Sequence, residues 1–248
     1  MTTKHATGFL PKDAADRALV RRTPRELLSL VAFGAVQWPW LLRSLYGGTK
    51  VRKAEVLQRA DLPANALPNL GSWKADTYLL HRIVASIEAS RPQVVVELGS
   101  GASSLVIASA LRRNGNGMLH SFDQHQPFAA EMSGWLAEHG LTAQFHHAPL
   151  VRQNNGWPGV WYALENVPPA IDLLIIDGPP WTVHPLVRGA AETLFDRIAP
   201  GGTVMLDDAA RPGERIVARK WRQRWPQFEF TYEGKGSKGL LVGRRSPS

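Results

Sequence analysis

Two glycines one residue apart, set where an apolar run gives way to polar residues, are the first feature of this chain that could hold a ligand. The run is Val94-Val-Val-Glu97-Leu and the loop is Gly99-Ser100-Gly101, with Ser103 just beyond. Glycine lets a chain turn tightly and bring its backbone against a bound molecule. A ligand at such a turn sits at the carboxyl end of the strand, where the start of the next helix offers backbone amides. Gly-x-Gly alone is shared by nicotinamide, flavin and methyl-donor enzymes. Ser104 stands where a dinucleotide fingerprint has its third glycine, which counts against nicotinamide.

Four further carboxylates follow apolar segments. Asp123 closes His120-Ser-Phe-Asp, 22 residues after Gly101. A carboxylate there can accept hydrogen bonds from both ribose hydroxyls of an adenosine cofactor; the alternative is an N-cap for a helix near residue 126. Asp177 ends Ile175-Ile176-Asp177-Gly178-Pro179-Pro180, and Asp207 and Asp208 end a segment introduced by Ala199-Pro200-Gly201-Gly202. Together with Glu97 they make five carboxylates expected along one edge, where like charges favour a bound cation or a cationic ligand. Asp177 and His184 are the candidate bases, with Asp208 beside them; His184 reads equally as a solvated loop histidine, and Asp208 with Arg211 as a structural ion pair. Trp157, Trp161, Tyr162 and Trp181 lie in loops that could cover an acceptor or pack against the core. Arg188 and Arg211 could receive an anionic acceptor.

The elements that must position these residues read as alternating strands and helices. Strands are expected at 93–98, 118–122, 143–147, 172–177, 202–207, 227–233 and 239–243, and helices at 103–113, 126–139, 183–198 and 213–224. The continuous apolar runs at 94–98 and 173–176 suit strands covered on both faces, and the alternation implies a doubly wound α/β sheet. The last two strands have no helix between them and are joined near Glu233-Gly-Lys-Gly-Ser-Lys238, so a terminal hairpin would add one antiparallel strand. A helix at 73–90 leads into this domain, assigned to residues 61–248.

Residues 1–60 read as an extension: a loose arm over residues 1–20, then a capping box at Thr23-Pro24-Arg25-Glu26 and 16 uncharged residues from Leu27 to Leu42. The run is shorter than the roughly 20 residues that span a bilayer. Trp38, Trp40 and Tyr46 with basic flanks suit a membrane interface; a buried helix or an oligomer contact is the alternative. Net charge is +7 over residues 1–60, −6 over 61–210 and +7 over 211–248. Basic ends suggest an anionic surface, lipid or nucleic acid, or simply solvated faces. Cysteine is absent, which excludes disulfides, thiol catalysis and cysteine-ligated metals. No signal peptide is evident, so a cytoplasmic protein is expected, either free or peripheral at the inner face of the membrane according to what the N-terminal helix contacts.

Taken in succession, Val-Val-Glu-Leu-Gly-Ser-Gly, Ser-Phe-Asp, Ile-Asp-Gly-Pro-Pro and Ala-Pro-Gly-Gly-Thr-Val-Met-Leu-Asp-Asp resemble the motifs of class I S-adenosylmethionine-dependent methyltransferases. The resemblance covers about residues 72–243. It implies a Rossmann-like, seven-stranded, mostly parallel sheet with S-adenosylmethionine as donor, held by Glu97, Gly99, Ser100, Gly101, Ser103, Asp123 and Asp177. Asp177 with Asp207-Asp208 resembles the catechol-type O-methyltransferases, in which an Asp and an Asp-Asn pair at these places bind magnesium; here Asp208 stands in the Asn position. Ala209-Ala-Arg211-Pro-Gly-Glu214, Ala148-Pro149-Leu150 and Trp161-Tyr162 are closer to uncharacterised bacterial relatives. Gly178 interrupts the Asp-Pro-Pro-aromatic pattern of amino methyltransferases.

The resemblance implies methylation of a hydroxyl oxygen on a small molecule or a glycan- or lipid-linked acceptor. The rival readings are a nucleic-acid methyltransferase, favoured by the basic ends; a nicotinamide-dependent oxidoreductase, disfavoured by Ser104 and the lack of a Tyr-x-x-x-Lys pair; and a non-enzymatic membrane-associated protein with a vestigial fold.

Overall fold

A computed structural model describes residues 23–67, 69–71 and 74–247. The expected arm at residues 1–20, with Arg21 and Arg22, lies outside the described residues.

Three helices come first: α1 (Pro24–Ser44), α2 (Lys50–Arg59) and α3 (Thr77–Ser90). Each starts at a side chain that satisfies an orphan amide. Thr23 and Glu26 form the expected capping box, Thr49 accepts from the Arg52 amide, and Asp76 accepts from the Leu79 amide at 2.9 Å. Helix α2 was not expected. Its mostly polar sequence hides the two residues that anchor it, Val56 and Leu57, both buried in the main core.

Then follow β1 (Val94–Leu98), α4 (Ala102–Asn114), β2 (Met118–Asp123), α5 (Gln126–Ala137), β3 (Gln144–His147), the short strands β4 (Leu150–Val151) and β5 (Trp161–Tyr162), and β6 (Ile171–Ile176). The expected helix at 183–198 is a 3-10 stretch, Val187–Arg197, running directly into β7 (Ile198–Leu206). The chain ends with α6 (Pro212–Arg224), β8 (Phe228–Glu233) and β9 (Leu240–Arg245).

Seven strands form one sheet in the order β3-β2-β1-β6-β7-β9-β8. Pairing is parallel from β3 to β7, and β9 runs antiparallel between β7 and β8. The expected antiparallel strand is therefore β9. The chain winds outward from β1 through β2 to β3, then returns to β6 on the other side of β1. That reversal opens a crevice at the carboxyl ends of β1 and β6, the place where open α/β sheets bind ligands.

Alternate strand positions fill two cores. Val95, Leu173 and Ile175 pack with Leu80, Leu105 and Leu136 of the helices on one face. Val96, Leu98, Leu174 and Ile176 pack with Phe195 and Trp221 on the other. No helix among the described residues is long and apolar enough to cross a membrane.

Candidate functional site

Strand register sets the site. Leu98 stands opposite Phe122 on one side and Ile176 on the other, and Ile176 stands opposite Leu206. The next residue on each strand, Gly99, Asp123, Asp177 and Asp207, therefore falls in one row across the edge of the sheet. Backbone hydrogen bonds hold the row: the Gly99 amide donates to Phe122 O at 2.9 Å, Asp177 to Leu98 O at 2.9 Å and Asp207 to Ile176 O at 3.0 Å.

Gly99 has φ of +93°, and a Cβ there would lie 2.8 Å from the Gly178 nitrogen, so the two loops meet too closely for a side chain. Ser100 donates its amide to Asp123 Oδ2 at 3.1 Å, and the Gly101 amide donates to Ser104 Oγ at 2.9 Å. Gly101 itself borders open space. Asp123 also accepts from the His125 amide at 2.9 Å; its burial raises its pKa above the usual carboxylate range, against those two amides. It thus serves the turn before α5 and also presents a carboxylate beside the glycine loop.

Glu97 points to the α4 side of the sheet and is fully buried. Its Oε2 accepts from Ser104 Oγ at 2.5 Å and Ser121 Oγ at 2.6 Å, and Ser103 adds a further side-chain hydrogen bond. Oε1 is buried without a hydrogen-bond partner among the described residues. Burial pushes this carboxyl up to about 7, further than the three serines pull it down.

Asp177, Asp207 and Asp208 do converge, with carboxylate oxygens within 4.8 Å of one another. They are knotted to three cations. Arg188 spends its five N–H groups on five protein acceptors: Pro179 O, Asp207 O, Asp208 Oδ2, Asp177 O and Asp177 Oδ1. This moves Arg188 from the acceptor side, where the sequence reading put it, to the scaffold. Arg211 Nη2 lies 2.8 Å from Asp208 Oδ1; its Nε and Nη1 are buried without hydrogen-bond partners among the described residues. Lys238 Nζ lies 3.1 Å from Asp207 Oδ2.

Burial raises Asp177 and pushes Asp207 well above the usual range despite Lys238. Asp208 would also be raised by burial, but Arg211, Lys238 and Arg188 bring it down to about 2. Asp208 sits at φ +60°, a left-handed conformation that costs a non-glycine residue on the order of 1 kcal/mol and is kept where surroundings enforce it. Three carboxylates already paired to three side-chain cations do not suit a divalent ion.

Among the candidate acceptor residues, the β4–β5 ladder carries Tyr162 into the crevice. A Cβ on Gly178 would stand 2.3 Å from Tyr162 Oη, so Gly178 makes room for the phenol. That oxygen is buried without a hydrogen-bond partner among the described residues, and burial holds its pKa well above its ordinary value. Trp161 packs edge-on against Tyr162 at 5.1 Å, and its Nε1 is likewise unpartnered. Trp181 packs beneath Gly34 of α1. Trp157 is drawn elsewhere: its Nε1 donates to Glu192, and Lys220 and Arg224 lie over its ring. His184 is buried, and its Nδ1 accepts from the Leu186 amide at 3.1 Å.

Sequence reasoning missed Lys238, Ser121 and Ser104 as members of the site. Lys238 sat in a segment read only as a turn. Its signal was the hairpin itself: an antiparallel β9 beside β7 must begin at the edge where β7 ends, so the residues just before β9, Lys238 and Gly239, arrive beside Asp207.

Residues 96–209 match the family model described as a methyltransferase domain. No curated protein sequence matches the chain. Among solved structures, an O-methyltransferase from Bacillus cereus in complex with S-adenosylhomocysteine is 14% identical, with 88% of this chain and 100% of that one covered at a TM-score of 0.55. The S-adenosylhomocysteine-bound methyltransferase PaMTH1 of Podospora anserina is 11% identical, with 92% and 98% covered at 0.52. The O-methyltransferase TomG of Streptomyces achromogenes, solved with S-adenosylmethionine and involved in tomaymycin synthesis, is 16% identical, with 94% of each chain covered at 0.51. The chain shares the fold of these methyltransferases, and its residues 96–209 are similar to the methyltransferase-domain family.

Proposed function

We propose that this protein transfers a methyl group from S-adenosylmethionine to a hydroxyl oxygen of a small molecule or of a glycan- or lipid-linked acceptor. The observation that carries the reading is the row Gly99, Asp123, Asp177 and Asp207 at the crevice where the sheet reverses, with two orphaned polar atoms buried against it, Glu97 Oε1 and Tyr162 Oη. An adenosine cofactor with a cationic amino-acid tail suits this donor set.

S-adenosylmethionine supplies a methyl group on a sulfonium, which leaves by in-line displacement. In this reading the backbone of Gly99, Ser100, Gly101 and Ser103 lies against the cofactor, Asp123 accepts from the ribose hydroxyls, and Glu97 faces its ammonium. The protein's contribution is chiefly proximity and orientation. A hydroxyl acceptor must also lose a proton. Asp177 is the stronger base: burial raises its affinity for a proton. His184 is weaker, because Nδ1 accepts a backbone amide and the neutral ring then carries its proton on Nε2. Asp208, paired and held at about 2, orients Arg188 and Arg211. Trp161, Tyr162 and Trp181 wall the acceptor side, and the two unpartnered N–H positions of Arg211 could receive an oxygen of the acceptor.

The test is calorimetric titration with S-adenosylhomocysteine and, separately, NAD. Binding of the first and not the second is expected, with Asp123→Asn weakening it roughly tenfold or more, the loss of about 1.5–3 kcal/mol typical of a hydrogen bond to a charged group. Equal or tighter binding of NAD would overturn the reading.

We infer further that α1 rests on an anionic lipid surface at the inner face of the membrane. Leu28, Val31, Val36, Trp38 and Leu42 are about half exposed or more on a helix flanked by Arg25, Arg43, Lys50 and Arg52. Two copies meeting along this face would bring like charges together, which favours lipid over self-association.

A further inference from the structure

The spacing of Asp177, Asp207 and Asp208 invites a hard cation with oxygen ligands. A positive charge already stands there. Lys238 Nζ lies 3.1 Å from Asp207 Oδ2 and 3.8 Å from Asp208 Oδ1, on a side chain only 2% exposed. Arg188 flanks it with contacts of 3.0 Å to Asp208 and 3.3 Å to Asp177, and Arg211 closes the other oxygen of Asp208.

The lysine is delivered by a fixed support. The Ala210 amide donates to the Lys238 carbonyl at 3.0 Å and the Ala209 amide to the Gly239 carbonyl at 3.1 Å, tying the hairpin apex to the turn after β7. One residue earlier, Ser237 donates both its amide and its hydroxyl to Asp76 Oδ2, at 2.7 and 2.9 Å. Asp76 also caps α3, so the apex is bound to the helical layer as well. Gly239 has φ of +72°, and a Cβ there would lie 2.9 Å from Tyr232 Oη and 3.0 Å from the Ala210 nitrogen. A long side chain held at its backbone on both sides, with its ammonium between two buried carboxylates, has little room to withdraw for an incoming ion.

We propose that Lys238 is the resident cation of this site: its ammonium takes the place of a divalent metal between Asp207 and Asp208, so the carboxylate triad is closed to Mg2+ and methyl transfer proceeds without one. The proposal rests on the methyl-transfer reading for its second clause only; the closure of the triad is a property of the protein alone. Lys238 acts here as a positioning residue. It holds Asp207 and Asp208 in register with Arg188, which in turn holds Asp177 and the Pro179 carbonyl at the crevice.

The test is uptake of Mn2+ by the full chain, followed by electron paramagnetic resonance and competed with Mg2+, with S-adenosylhomocysteine binding measured on the same samples. Wild type is expected to take up no stoichiometric Mn2+, and Lys238→Arg, which keeps a cation, likewise. Lys238→Met, which removes the charge and keeps the bulk, is expected to bind Mn2+ at least about tenfold more tightly than wild type, because a charge a few ångströms from the ion no longer repels it. One equivalent of Mn2+ on wild type, displaced by Mg2+ and lost in Asp207→Asn, would overturn the proposal, and this arm stands even if Lys238→Met does not fold. A folded Lys238→Met that still excludes Mn2+ would overturn it too. Failure of wild type to bind S-adenosylhomocysteine would count against the methyl-transfer reading while leaving the metal titration decisive on its own.

Discussion

Glu97 has a carboxyl group with little to offset its charge: one oxygen is shared by serines, and the other is buried and unpartnered. Its pKa stands at about 7 against an ordinary 4.5 because burial disfavours the anion. The folded state therefore binds more protons than the unfolded chain between those values, and stability from this group falls as pH rises through that window. Glu97→Gln, which mimics the protonated form, should gain stability relative to wild type over the same window, by on the order of 3 kcal/mol. Chemical denaturation at pH 4.5 and at pH 8 would measure it, and a difference that does not change with pH would contradict it. If the anion faces a cationic ligand, binding of S-adenosylhomocysteine should strengthen as pH rises through about 7 in wild type and lose that dependence in Glu97→Gln. At this scale the sequence was informative wherever a residue ended a buried strand, as Asp123, Asp177 and Asp207 do. Lys238 was marked only indirectly, by the hairpin that brings it to the end of β7, and the five contacts that turn Arg188 inward left no mark, because they depend on distant segments meeting.

Among the elements, the regular strands and helices of the sheet were legible because a buried parallel strand must be largely apolar, as Val94–Leu98 is but for Glu97 and Ile171–Ile176 is but for Asp172. Helix α2 was not, since a short helix with two buried residues leaves almost no period to read. The 3-10 stretch Val187–Arg197 departs from the expected α-helix at its start, where Pro185 and the loop after Pro180 delay regular structure. Helix α1 is anchored at few points: Gly34 lies on Trp181, Trp40 meets Arg215, Glu26 pairs with Arg152, and Arg43 donates to the Gly236 carbonyl. Those anchors tie it to the loop after Pro180 and to the segment after β4, and leave an apolar face outward. Co-sedimentation with vesicles containing phosphatidylglycerol should recover the protein, recovery should fall as salt is raised, and the double variant Leu28→Ser, Val31→Ser should bind at least about a hundredfold more weakly, since each exposed aliphatic side chain contributes roughly 1.5–3 kcal/mol when buried in an apolar phase. Equal recovery with neutral vesicles, or no loss in the double variant, would contradict the assignment.

For the whole molecule, the reversal of strand order between β1 and β6 opens the crevice that the proposed chemistry uses, and five of the fourteen carboxylates of residues 61–210 stand along it. The alternation of strand and helix made the doubly wound class readable; the strand order itself follows from which strands pair, which no local pattern states. The proposed acceptor side stayed illegible for the same reason: it combines α1, the β4–β5 ladder and the loop after Pro180, segments that meet only in the fold, through Gly34 on Trp181 and Glu26 on Arg152. The central claim is that this chain moves a methyl group. Its most direct test is incubation of the purified protein with methyl-labelled S-adenosylmethionine and cell extract, followed by separation into lipid, polysaccharide, RNA and small-molecule fractions. Label is expected in a lipid, polysaccharide or small-molecule fraction, lost with Asp123→Asn. Label in no fraction, or in RNA alone, would contradict it.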